Sequence, residues 1–187
     1  MISNEELAQK DKNIVLIGFM GVGKTTIGQH LAKKLDREFI DIDAQIEQKY
    51  GMPVTQIFKS VGEKEFRQME KDYILNVCSD SKFKIISLGG GAFLQEEIKN
   101  ICLSTSNVIY LNISWETWKR RLHLIIDSRP ILQNKSMDEI EALFYTRQNS
   151  YSPNHASVNI DGLGFEEAAD HIIHSLNLIA DRPDELY

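Results

Sequence analysis

The sequence predicts an α/β fold of three layers, a parallel sheet with helices on both faces. Five β-rich apolar runs, at 13–17, 38–42, 84–88, 107–111 and 157–160, alternate with segments of helical spacing. That alternation is the pattern of parallel strands joined by helical crossovers. A glycine-rich run between the first strand and the first helix supports the same class, because open sheets of this kind place ligand loops at the carboxyl ends of their strands.

The first helix is expected to open at the glycine-rich run and to reach about Leu35, with Ile27, Leu31 and Leu35 on one stripe. After Gly62, the positions Phe66, Met69, Tyr73, Ile74 and Val77 give a second helical pattern, and Trp115, Trp118 and Leu122 give a third after Ser114. Ser136 and Glu139 have the spacing of a capping box, followed by a helix bearing Ile140, Leu143, Phe144, Arg147 and Tyr151. Ala169, Ile172, Ile173, Leu176 and Ile179 predict a closing helix. The stretch 123–135 has no clean period and is the expected mobile segment. Residues 1–12 are read as an N-terminal extension and 181–187 as a frayed tail.

The chain has 187 residues, of which 42% are hydrophobic, enough for one domain with its own core and short for two. A net charge of −6 disfavours a nucleic-acid partner, which needs a basic face. Cys78 and Cys102 lack metal-ligand spacing, and two thiols so far apart in sequence make no disulfide framework. No apolar run approaches the roughly 20 residues a bilayer needs, and the polar first dozen residues are unlike a signal peptide. A soluble, cytoplasmic monomer is the expectation.

The run Gly18-Phe-Met-Gly-Val-Gly-Lys-Thr25 matches the eight-residue phosphate-loop pattern, between a strand and a helix as the mechanism requires. Glycines at 18, 21 and 23 let backbone amides turn inward around phosphates, and the helix N-terminus adds partial positive charge. Lys24 is expected along the β- and γ-phosphates of ATP, and the Thr25 hydroxyl on Mg²⁺. Gly21, Val22, Gly23 and Thr26 complete the nucleotide cradle. A kinase, a GTPase and a nucleotide switch would all carry such a loop.

Other residues bear on the acceptor. Asp41 and Asp43 are two apart at a strand end, which would put both on one side of the sheet, one for Mg²⁺ through water and one for an acceptor hydroxyl. A solvated strand end would look the same. Arg67 and Glu70 are three apart on a helix, so the glutamate can hold a guanidinium fork suited to a carboxylate, although a bland surface pair has the same spacing. Gly89, Gly90 and Gly91 follow the third strand and allow close backbone approach. Arg129 lies in the unpatterned stretch, from which it can swing over phosphates. Arg147 shares a stripe with Ile140, Phe144 and Tyr151, and either meets an anion or snorkels to solvent.

Taken together, GFMGVGKTTIG, FIDIDAQIE, GEKEFRQME, SLGGGA, SRPIL and the pair Arg147 and Tyr151 resemble the shikimate kinase family from about residue 13 to 161. The resemblance implies a P-loop kinase fold of the nucleoside-monophosphate-kinase type, with a five-stranded parallel sheet, a substrate-binding segment and a lid at about 122–136. It implies ATP and Mg²⁺, and transfer of the γ-phosphoryl group to the 3-hydroxyl of shikimate. Asp43 would bind ring hydroxyls, Arg67 and Arg147 the carboxylate, and Gly90 would offer its amide beside Gly89 and Gly91. Glu70 would orient Arg67, Phe58 and Phe66 would wall the ring, Asp41 would sit by the hydrated Mg²⁺, Arg129 would meet the ATP phosphates and Arg121 would flank adenine. One departure is Asp161-Gly-Leu-Gly164, where many relatives carry a basic or polar residue near adenine.

Overall fold

The computed structural model describes residues 11–80 and 82–180, so most of the N-terminal extension and all of the expected C-terminal tail lie outside the described residues. Strand β1 (Asn13–Ile17) leads through the phosphate loop into helix α1 (Lys24–Leu35). Strand β2 (Glu38–Asp41) is followed by α2 (Ile42–Tyr50) and the long α3 (Val54–Asp80), which is broken at Gly62. Strand β3 (Lys84–Ser87) gives way to a 3-10 turn at Ala92–Leu94 and to α4 (Glu96–Thr105). Strand β4 (Ser106–Asn112) precedes the short helices α5 (Trp115–Lys119) and α6 (Leu122–Ile125). Two 3-10 turns, α7 (Met137–Ser150), β5 (Ala156–Asn159) and α8 (Phe165–Ala180) complete the order.

The five strands form one sheet in the order β2-β3-β1-β4-β5, and every neighbouring pair is parallel. In the central strands Val15, Leu16, Ile85, Ile86, Val108 and Ile109 are fully buried. Burial at consecutive positions means that both sheet faces are covered, because successive side chains point to opposite sides. Lys34 pairs with Glu166 and Asp170, tying α1 to α8 on the surface of the helical layer.

Three differences from the sequence expectations matter. Strand β2 stops at Asp41, whose side chain accepts from the Ala44 amide at 3.2 Å and caps α2. Asp43 therefore stands in the first turn of a helix, not on the same strand face as Asp41. Helices α2 and α4 have no counterpart among the expected elements, since each buries only a pair of apolar residues, Ile42 with Ile46 and Ile98 with Cys102. The stretch 122–136 is a string of short helical turns, with no buried residue in α6 or in the turn Ile126–Ser128. Cys78 and Cys102 are buried free thiols whose sulfurs stand 3.9 Å apart, a proximity that only the packing of α3 on α4 creates.

Candidate active site

The loops at the carboxyl ends of β1, β2 and β3 converge on one cleft. The phosphate loop has φ of +148° at Gly18, +74° at Gly21 and +104° at Gly23, values open to glycine and strained for other residues. Lys24 is buried, and its Nζ donates to the carbonyls of Gly18 at 2.8 Å and Phe19 at 3.0 Å. Burial, with the Arg129 guanidinium nearby, lowers the Lys24 ammonium to about 8. The Thr25 hydroxyl donates to Asp41 Oδ2 at 2.6 Å, so a hydroxyl and a carboxylate oxygen meet at the helix start.

Asp41 and Asp43 do come together near Lys24, by a route other than strand alternation: one caps α2 and the other occupies its first turn. Burial raises the Asp43 carboxyl above its ordinary value, an effect that the Arg129 guanidinium opposes and Asp41 reinforces. Arg129 Nη1 lies 3.8 Å from Asp43 Oδ2, and its buried Nε has no hydrogen-bond partner.

On α3, Arg67 Nη1 donates to Glu70 Oε2 at 2.7 Å, and Glu70 is fully buried. Gln95 Nε2 donates to the same oxygen at 3.1 Å, while Glu70 Oε1 has no partner. Burial drives the Glu70 carboxyl up to about 6 in spite of Arg67. The guanidinium stands 5.7 Å from the Phe58 ring centroid and 5.6 Å from that of Phe66, and the two rings pack at 4.4 Å. Arg147 has a buried Nη1 without a partner, and its charge is disfavoured first by burial and then, against the pull of Tyr151, by the like charge of Arg67. Arg67 and Arg147 thus lie within electrostatic reach of each other, with Arg67 also paired to Glu70 and to Glu63 at 3.7 Å.

The triple glycine is required by space, since none of the three has positive φ. A Cβ on Gly89 would stand 2.9 Å from Asp43 Oδ1 and 3.0 Å from Glu70 Oε1. On Gly90 it would meet the Met20 amide at 3.2 Å, and on Gly91 the Arg67 Nη2 at 2.6 Å. Gly89 and Gly91 thus abut the side of the cleft formed by α2 and α3, and Gly90 abuts the phosphate loop. Arg121 Nη1 donates to the Val22 carbonyl at 3.1 Å, beside the loop. Ile125 of α6 covers Gly21, and Phe165 packs on Gly23. Asp161 accepts from the Ser114 amide at 3.0 Å, so this departure from the family pattern is turned toward a helix cap.

The shikimate kinase family model matches residues 20–177, most of the chain. The chain belongs to the shikimate kinase family. Shikimate kinase from Bacillus pumilus is 52% identical over 175 residues, covering 94% of this chain and 95% of the relative. Shikimate kinase from Bacillus subtilis is 52% identical over 178 residues, covering 95% and 96%. Among solved structures, shikimate kinase from Acinetobacter baumannii in complex with shikimate superposes with a TM-score of 0.83 at 30% identity, covering 95% of this chain and 99% of the other. A gluconokinase from Sinorhizobium meliloti reaches a TM-score of 0.58 at 15% identity, a likeness of fold alone. Family membership makes the chain an ATP-dependent phosphotransferase.

Several contacts that shape this shikimate kinase family site give no sign in local spacing. Trp118 Nε1 donates to the Met20 carbonyl at 2.7 Å, holding the phosphate loop from α5. The Tyr151 hydroxyl donates to the Gly90 carbonyl at 2.6 Å. Gln95 shares Glu70 with Arg67. Each contact joins residues at least 25 positions apart, beyond the reach of any helical or strand period.

Proposed function

We propose that the chain transfers the γ-phosphoryl group of ATP to the 3-hydroxyl of shikimate, with the carboxylate held between Arg67 and Arg147. The observation that carries this reading is the buried, unpartnered Arg147 Nη1 facing the charge of Arg67, in the cleft that also holds Asp43 and Lys24. Leaving a buried guanidinium N–H unpaired is costly, and a substrate carboxylate satisfies it while screening the repulsion. Phe58 and Phe66 form the apolar wall behind the ring, and Gly89, Gly90 and Gly91 admit it to close backbone contact.

Asp43 binds the ring hydroxyls and orients the 3-hydroxyl. Its raised affinity for a proton suits it to accept that proton as the new bond forms. Lys24 and Arg129 spread the negative charge that builds on the transferring group, while the amides of 21–26 hold the phosphates. Arg121 flanks the adenine end. Thr25 Oγ1 and Asp41 Oδ2, both hard oxygen donors at the loop, fit Mg²⁺, which takes few protein ligands and keeps water and phosphate oxygens. When bound, the ion supplies neutralisation of phosphate charge. The sparse burial of α6 and of Ile126–Ser128 supports closure of 122–136 as a lid that brings Arg129 onto the phosphates and excludes water.

Comparing shikimate with its methyl ester as acceptors tests the assignment. The wild type is expected to prefer the acid by about 100-fold in kcat/KM, and Arg147→Ala to lose most of that preference. Equal use of acid and ester by the wild type would contradict the arginine fork.

A further inference from the structure

Tyr151 caps the end of α7 one helical turn beyond Arg147, and its side chain is 1% exposed. Its ring packs on Tyr110 with centroids 5.4 Å apart, and Asn154 Nδ2 donates to its carbonyl at 2.8 Å, so the residue is fixed at both ends. Burial raises the phenol well above its ordinary value, against the pull of Arg147, which keeps it a neutral donor. The acceptor of its 2.6 Å bond is the carbonyl of Gly90, between Gly89, which abuts Asp43 and Glu70, and Gly91, which abuts Arg67.

Because a peptide is planar, holding the Gly90 carbonyl also fixes the Gly91 N–H on the opposite side. Glycine has no side chain to restrain that plane, so the restraint has to come from outside the turn. We infer that Tyr151 is a positioning residue, whose bond to Gly90 sets the glycine turn and the Arg147 helix at the spacing at which Arg67 and Arg147 hold one carboxylate. This rests on the shikimate reading above. The bond links two pieces of backbone that bear on the fork: the helix that carries Arg147 and the turn against which Arg67 is seated.

Tyr151→Phe keeps the ring packing and deletes the hydroxyl. In steady-state assays well below the melting temperature, its KM for shikimate is expected to rise about tenfold, with the KM for ATP and for the methyl ester of shikimate within about twofold of wild type. Asn154→Ala, which leaves the hydroxyl in place and loosens its backbone, is expected to shift the same acid-to-ester ratio by a smaller factor. A lowered melting temperature with an unchanged ratio in both variants would overturn the inference, as would an equal rise for acid, ester and ATP. If the wild type does not phosphorylate shikimate, the functional reading falls and the inference falls with it. If the wild type does and the ratio is unmoved in the variants, the inference alone falls.

Discussion

Glu70 is fully buried with one oxygen shared by Arg67 and Gln95 and the other without a partner. Its carboxyl is raised from 4.5 to about 6, so between those values the native state binds more protons than the unfolded chain. Stability contributed by this group therefore falls as pH rises through that window, by about 2 kcal/mol in all. Glu70→Gln is expected to flatten this part of the profile: urea unfolding at pH 4.5 and 6.5 should separate wild type from variant by about that amount. Parallel profiles would show that Glu70 titrates normally. Asp43 poses a different question, base or orienter. Asp43→Asn is expected to lower kcat by about 100-fold or more, and a near-wild-type kcat in a phosphate-transfer assay would exclude an essential base. At this scale the phosphate loop is legible because its chemistry needs contiguous residues, and Arg67 with Glu70 because three positions make neighbours on a helix. Asp41 and Asp43 are legible as a pair although a cap and a helix start, not a strand, unite them. Tyr151 and Gly90 are not, since 61 positions separate them and only the tertiary fold brings the end of α7 to the turn after β3.

At the scale of elements, the break in α3 at Gly62 separates the turn that carries Phe58 from the helix that carries Phe66, Arg67 and Glu70. Gly62 has φ +82° and ψ 167°, a region that excludes residues with a Cβ, although a Cβ there would meet nothing within 4 Å. The cost of substitution is backbone strain with no clash. Gly62→Ala is expected to destabilise the protein by about 1–3 kcal/mol, read as a lower urea midpoint at unchanged slope. An unchanged midpoint would mean that the break adapts. The sequence pattern places a helix after Gly62 because Phe66, Met69, Tyr73, Ile74 and Val77 keep one face apolar. Helix α2 escapes that test because nine residues with two buried positions hardly outnumber chance. The turns of 122–136 escape it too, because α6 has no fully buried residue and only partly buries Leu122 and Ile125, the latter against Gly21.

For the whole molecule, a five-stranded sheet whose central strands are buried on both faces brings three loops to one edge, and the cleft at that edge gathers Lys24, Asp43, Arg129, Arg67 and Arg147. The fold class is readable from alternation alone, because the central parallel strands are apolar runs and parallel strands are joined by helical crossovers. Specificity is less readable, since the same architecture is shared with a gluconokinase at 15% identity. The residues proposed to hold the acceptor, Asp43, Arg67 and Arg147, come from α2, α3 and α7, so the shape between them is a three-dimensional property. The most direct measurement is ADP release by the purified chain with ATP and Mg²⁺, using shikimate, gluconate or water as the acceptor. Shikimate-dependent ADP, with gluconate and water at background, is the expected result. ADP release that is independent of shikimate, or faster with gluconate, would contradict it.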